Sequence, residues 1–202
     1  YMTNPLALGC DCKGVIHYLD AHFADRAGDP ITIKNAVCIH EEDDGILYKH
    51  SDFRDDFATT IVTRATRLVI SQIFTAANYE YCIYCNFLQD GSIRLDVKLT
   101  GILNTYVANE GEKVGPWGTQ VYPQVNAHNH QHMFSLRIDP RIDGDNNSVG
   151  SSDVMSSPHE LGSLENPYGN GWLGKRTVYK TVSDSLTHAN AETSRSWDIF
   201  NP

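Results

Sequence analysis

The sequence lacks any apolar segment near the roughly 18 residues needed to cross a bilayer, and no six like charges follow one another. Basic residues are also scarce, since 16 Lys and Arg stand against 25 Asp and Glu, for a formal net charge of −9. A nucleic-acid partner demands a basic face for its phosphates, so this balance argues against one. The sequence therefore predicts a globular protein with neither a nucleic acid nor a membrane as its partner.

Helical periodicity is scarce too, because no apolar stripe at helical spacing continues beyond about two turns. Alternation of apolar and polar residues is frequent and indicates strands, as in SIRLDVKL. The turn before that segment contains Asp90-Gly91 and predicts a type I′ hairpin, because glycine readily takes positive φ. We predict a mainly β fold, an antiparallel β-sandwich, with strands at residues 15–23, 29–40, 45–53, 67–74, 79–88, 92–99, 126–138 and 176–182.

Two polar segments interrupt this pattern. The acidic run Glu41 to Asp44 precedes Gly45 and predicts a solvated turn. Residues 143–171 are rich in Gly, Ser, Asn and Asp, which favours a long loop or arm within one domain.

The five cysteines are too few for a disulfide scaffold. Cys82 and Cys85 form a C-x-x-C, but in a strand they point to opposite faces, which disfavours a zinc site. One disulfide from Cys10 or Cys12 to Cys38 is compatible with the sequence, and spacing alone does not choose between the two.

Three histidines alternate in NAHNHQHMF: His128, His130 and His132. In a strand all three imidazoles share one face, with neighbours roughly 6.6 Å apart, so that two of them can bind one metal ion. Imidazole suits copper, zinc, iron and nickel, with copper favoured by affinity. The alternative is that the histidines form a polar patch or are hydrogen-bonded residues of the core. A cupin site is disfavoured because no glutamate follows in residues 133–137.

The motif N-Y-E-Y at residues 78–81 precedes H-Q-H at residues 130–132 by about 50 residues. Together with LGCDCKGVIHYLD, NAVCIHEEDDGILYKHSDF, TRLVISQIFTAANYEY, LDVKLTGI and NAHNHQHMFSLRID, in this order, the motif resembles the catalytic domain of the copper amine oxidases, nearest their fungal branch. The resemblance implies part of the large supersandwich of that family. Residues 1–202 are then a single partial catalytic domain, without the N-terminal domains, the start of the catalytic domain and its C-terminal part.

The resemblance assigns roles to the residues of both motifs. Tyr79 matches the tyrosine that the family oxidises to topaquinone, which forms the Schiff base with substrate, and Asn78 matches the residue that restrains the quinone ring. His130 and His132 match two copper ligands, whereas His128 is not expected to bind copper.

The resemblance also concerns residues outside the two motifs. Cys12 and Cys38 match the family disulfide. Asp139 matches the first ligand of a peripheral calcium or manganese site, although Arg141 stands where the family often has a further aspartate.

The implied activity is that of a primary-amine oxidase, which converts a primary amine and dioxygen to an aldehyde, ammonia and hydrogen peroxide. The third copper histidine and the aspartate base are expected outside this chain, which predicts that residues 1–202 alone are inactive. The alternatives are a non-catalytic metal-binding β-sandwich and an inactive paralogue.

A homodimer is expected. The fungal resemblance favours a peroxisomal location and a disulfide an extracellular one, and the sequence does not identify the amine.

Overall fold

The computed structural model describes residues 2–57, 59–169 and 171–202. Its contacts group the chain into two compact units, the first ending at Gln131 and the second comprising His132–Pro202. Within the described residues, no helix is long and apolar enough to span a bilayer. The sequence-based expectation of a single partial domain stays a prediction.

The larger sheet of the first unit is antiparallel throughout and contains the segments richest in branched and aromatic residues. Its order is β2-β3-β4-β5-β6, and β1 pairs with the end of β4. The strands are β1 Met2–Thr3, β2 His17–Ala24, β3 Pro30–Ser51, β4 Thr60–Ala76, β5 Tyr79–Phe87 and β6 Ile93–Gly101. These bounds confirm the mainly β, antiparallel class and most of the predicted strands.

A second, smaller sheet of this unit follows in the chain. Its strands are β7 Thr105–Val107, β8 Gly118–Tyr122 and β9 Val125–His128, with β9 in the centre. A short 3₁₀ turn, Gly115–Trp117, leads into β8. The sheet matters for function because its central strand ends at the first of the three alternating histidines.

The β5–β6 hairpin forms as predicted, but its turn differs from the expected type. Gly91 has φ +86°, whereas Asp90 is not among the residues with positive φ, and a type I′ turn needs both. The Gly91 amide donates to the Leu88 carbonyl and the Leu88 amide to the Ser92 carbonyl. This is the pattern of a three-residue loop, in which one glycine takes the left-handed position.

The acidic run does not form a turn, which corrects the prediction. Strand β3 continues through it, and two register shifts between Asp43 and Tyr48 form a bulge around Gly45, whose φ is +86°. The carboxylates are compensated from β4, where Arg67 lies opposite Glu42. Arg67 is distant in sequence from the acidic run, which is why the local sequence predicted a solvated turn.

The second unit contains one sheet, in which β10 Ser148–Ser156 lies between β11 Trp172–Val178 and β12 Ser196–Phe200. A 3₁₀ turn occupies Ser183–Ser185. The expectation of a loop or arm over residues 143–171 is therefore wrong for β10. The small residues of β10 are typical of a loop, which is why the sequence did not indicate a strand. At Gly150 a small residue is required by the pairing, because an added Cβ would lie 2.9 Å from the Thr177 carbonyl oxygen of β11.

The core of the first unit is small and partly polar. Leu6, Cys12 and Cys38 form a buried cluster, against which Ile16 and Ile73 pack. Many large apolar side chains elsewhere on the sheets are exposed. Packing at this cluster fixes β3 and β4, and through their pairing it fixes β5, which begins at Tyr79.

Candidate functional site

Tyr79 is the first residue of β5 and lies directly after a two-residue hairpin turn. Ala76 at the end of β4 pairs with Tyr79, which leaves Ala77 and Asn78 as the turn residues. Ala77 has φ +58°, a conformation that costs an L-residue about 1–2 kcal/mol. The pairing of β4 with β5 therefore holds the turn in a strained form immediately before the tyrosine.

Asn78 is anchored to the residue that follows β6. Its side-chain Nδ2 donates to the Ile102 carbonyl oxygen at 2.6 Å, and the Ile102 amide donates to the Asn78 carbonyl oxygen at 2.8 Å. This reciprocal pair holds the peptide before Tyr79 from two directions. The sequence-based role of Asn78, restraint of a quinone ring, stays a prediction.

The ring of Tyr79 faces an imidazole. Its centroid lies 5.2 Å from that of His130, with 44° between the ring planes. The His130 ring lies 6.2 Å from that of His128, whose Nε2 accepts a hydrogen bond from Asn104 Nδ2 at 3.2 Å. The structure thus brings together Tyr79 and His130, two residues that are far apart in the sequence.

The predicted strand over residues 126–138 is too long. Strand β9 ends at His128, so the three imidazoles do not line one strand face. The boundary between the two compact units falls after Gln131, which assigns His130 to the first unit and His132 to the second. Among the described residues no group of three His, Cys, Asp or Glu side chains is arranged to hold a metal ion.

The other two motif residues have structural partners that the sequence did not reveal. Glu80 Oε2 accepts hydrogen bonds from Asn4 Nδ2 at 3.1 Å and from Thr75 Oγ1 at 2.7 Å. The Tyr81 ring stacks on Phe74, with centroids 4.9 Å apart and planes within 7°. The contacts with Thr75 and Phe74 follow from the pairing of β4 with β5, which the local sequence does not reveal.

Cys12 and Cys38 are thiols in the structure, so the expected disulfide is not formed there. Both belong to the same buried cluster. Burial raises the pKa of the Cys12 thiol to about 12, and a hydrogen bond with Cys38 acts in the same direction. The Cys38 sulfur also lies 3.2 Å from His40 Nδ1. The two thiols are neighbours, and their oxidation to a disulfide stays a prediction.

Asp139, the candidate for a peripheral metal site, is exposed and forms an ion pair with Arg137, at 2.7 Å between Nη2 and Oδ2. Arg141 is paired with Asp145 at 3.0 Å. A cation at Asp139 would have to compete with an arginine that is already in contact with the carboxylate.

The fold and the site define an antiparallel β domain in which a hairpin presents a tyrosine to an imidazole. The family model described as copper amine oxidase, enzyme domain, matches residues 1–202. The chain belongs to the copper amine oxidase family, as its motifs predicted.

Individual relatives agree with this assignment. The chain is 74% identical over 202 residues to the peroxisomal primary amine oxidase of Pichia angusta, and the match covers 100% of this chain and 29% of that protein. It is 65% identical to copper amine oxidase 1 of Schizosaccharomyces pombe, covering 100% of this chain and 28% of that protein. The chain thus spans less than a third of these curated relatives.

A solved structure agrees as well. The crystal structure of a copper-containing benzylamine oxidase from Hansenula polymorpha aligns with a TM-score of 0.85 at 43% identity, over 98% of this chain and 30% of that one. The fold predicted from the motifs is therefore confirmed at the level of a solved relative.

Proposed function

We propose that the full-length protein is a primary-amine oxidase, which converts a primary amine and dioxygen to an aldehyde, ammonia and hydrogen peroxide. In this proposal Tyr79 is the precursor of a topaquinone, and His130 and His132 are ligands of a copper ion. The observation that carries it is the 5.2 Å separation between the rings of Tyr79 and His130. Family membership and the names of the relatives support the same activity.

The donor set fits copper, because neutral imidazoles are favoured ligands of that metal. When bound, copper and the quinone supply the redox and carbonyl chemistry of the reaction. The residues of this chain supply position: the β4–β5 turn places Tyr79, and the paired hydrogen bonds between Asn78 and Ile102 fix the peptide before it.

We propose that a third histidine ligand and a carboxylate base are supplied from outside residues 1–202. Removal of a substrate proton needs a base within hydrogen-bond reach of that proton, and neither Asp20 nor Asp25 matches the family base. Residues 1–202 in isolation are accordingly expected to be inactive, as a metal-binding β domain without turnover.

The setting of the enzyme follows the relatives. We propose a peroxisomal location, because one relative is named a peroxisomal primary amine oxidase, and these names give no support to an extracellular location. We also propose a homodimer, the assembly that the family resemblance implies. A calcium or manganese ion at Asp139 is a weaker proposal, because Arg137 already occupies that carboxylate.

The test uses the full-length protein, prepared without copper and then exposed to copper in air. We expect a visible quinone absorbance that reacts with phenylhydrazine, and we expect Tyr79→Phe to abolish it while copper content stays measurable by atomic absorption. Tyr81→Phe is the matched control, because this phenol lies two residues further along the same strand and stacks on Phe74. An absorbance that survives Tyr79→Phe, or is lost only in Tyr81→Phe, refutes the assignment.

A further inference from the structure

Gly101 is the last residue of β6 and pairs with Tyr79 across the β5–β6 ladder. It has φ +113°, which L side chains rarely adopt. A Cβ added to it would lie 2.5 Å from the Asn78 carbonyl oxygen and 2.9 Å from Tyr79 Cα. The Glu80 backbone nitrogen would be 3.0 Å away. The backbone of the tyrosine motif therefore rests against a position where only glycine fits.

The atoms around that position are backbone atoms, which cannot rotate out of the way as a flexible side chain would. Ordinary van der Waals contact of a Cβ begins at 3.4 Å, so any larger residue must push the Asn78 carbonyl away by about 1 Å. Gly91, at the opposite end of the same hairpin, also has positive φ, +86°, but its added Cβ meets nothing within 4 Å. Both glycines have positive φ, but only Gly101 has backbone atoms against the position of an added Cβ.

The residues that follow Gly101 extend the contact toward the histidines. Ile102 exchanges two hydrogen bonds with Asn78, and Asn104 donates to His128. The short segment 101–104 thus joins the hairpin turn that presents Tyr79 to the strand that ends beside His130.

We propose that Gly101 is a positioning residue: its missing side chain lets segment 101–104 lie against the tyrosine motif, and this contact sets the distance of the Tyr79 ring from His130. The inference rests on the proposed function, in which that ring must be oxidised beside copper. A displacement of about 1 Å at a reacting group costs up to about 100-fold in rate. The predicted consequence is slow quinone formation at full copper occupancy.

The experiment compares Gly101→Ala with Gly91→Ala in the full-length protein. Both variants carry the penalty of alanine at positive φ, and only the first adds a collision. We expect equal copper content in both, a quinone-formation rate about 10- to 100-fold lower in Gly101→Ala, and a rate within about twofold of the unsubstituted protein in Gly91→Ala. Crystal structures of the copper-free proteins should show a Tyr79–His130 separation that departs from 5.2 Å only in the first variant.

A further variant guards against misfolding of Gly101→Ala. In Ala77→Gly/Gly101→Ala the turn gains backbone freedom, so that the Asn78 peptide can move aside and the protein can fold with a displaced ring. A folded Gly101→Ala or double variant that forms quinone as fast as Gly91→Ala overturns the inference. Failure of the proposed function has a separate signature, survival of the absorbance in Tyr79→Phe, and the ring separation in the copper-free crystals still tests Gly101 in that case.

Discussion

Replacement of Arg67 by glutamine tests how the acidic run is accommodated inside β3. The Arg67 side chain is only 23% exposed, and its guanidinium binds two carboxylates, Glu42 at 2.6 Å and Asp44 at 3.0 Å. Glu42 also accepts from His40 Nε2 at 2.9 Å. In Arg67→Gln the neutral amide of the glutamine replaces the guanidinium. The fold must then hold both carboxylates beside the β3 bulge without this cation.

The expected loss follows from these contacts. Hydrogen bonds to charged groups contribute about 1.5–3 kcal/mol where water is excluded, and the 38% exposure of the Glu42 side chain reduces this by screening. We expect Arg67→Gln to lower the free energy of unfolding by about 1–2 kcal/mol at neutral pH. The hydrogen bond from Arg67 is the largest cause that holds the pKa of Glu42 below its ordinary value of 4.5.

The sign of the pH dependence is fixed by that shift. Because the pKa is lower in the folded state, the stabilisation is complete above pH 4.5 and is lost as the pH falls through the folded pKa. The difference in unfolding free energy between the unsubstituted protein and Arg67→Gln should therefore shrink in acid. Urea denaturation of the full-length protein, followed from about pH 7 to well below the ordinary pKa of 4.5, measures this difference.

The control is Arg64→Gln. Arg64 lies on the same strand and contacts Asp43, but the two side chains are 57% and 59% exposed, so water screens the pair and its removal should matter less. Equal losses for the two variants, or a loss in Arg67→Gln that grows in acid, would show that the bulge is not held by the Arg67 carboxylate pairs.

Two further predictions concern the proposed copper ligands and the thiols. His130→Ala should weaken copper binding by more than about 100-fold, whereas His128→Ala should retain copper, as measured by metal content after dialysis; equal copper loss would contradict the assignment. In the reduced protein Cys12 should be alkylated more slowly than the exposed Cys10, because burial raises the pKa of its thiol to about 12. Oxidation should join Cys12 to Cys38, closing a loop worth about 3.5 kcal/mol, and mass mapping that finds another pairing would refute this.

The parts of the fold that sequence predicted best are those whose signals are local. Alternation in SIRLDVKL and the adjacent Gly91 predicted the β5–β6 hairpin, with every strand end correct to within two residues. The prediction of a turn within β3 was wrong because this part of the strand is stabilised by Arg67, which is 25 residues away from Glu42 in the sequence. Strand β10 was not predicted because its small polar residues are typical of loops. It is a strand because it pairs with β11 on one side and β12 on the other.

The site was predicted by motif and not by geometry. Alternation over residues 126–138 indicated one strand, yet β9 ends at His128, where its pairing with Gly118 of β8 also ends. A strand continues only where neighbouring strands supply hydrogen bonds, and neighbours are not encoded in the segment itself. The contact between Tyr79 and His130 does not require the longer strand, because Tyr79 is placed by the hairpin turn at which β5 begins.

Two phenols alternate in the motif and therefore share one face of β5, so their cross-strand neighbours must distinguish them. Tyr81 lies between Phe74 on β4 and Leu99 on β6, and the Phe74 ring covers it. Tyr79 lies between Ala76 and Gly101, the two smallest side chains available. Both tyrosines are partly buried. The Phe74 ring stacks on Tyr81, whereas the small residues beside Tyr79 leave space for another group, here His130. The proposal that Tyr79 is the reacting phenol is thus supported by the packing in the sheet as well as by the motif that first suggested it.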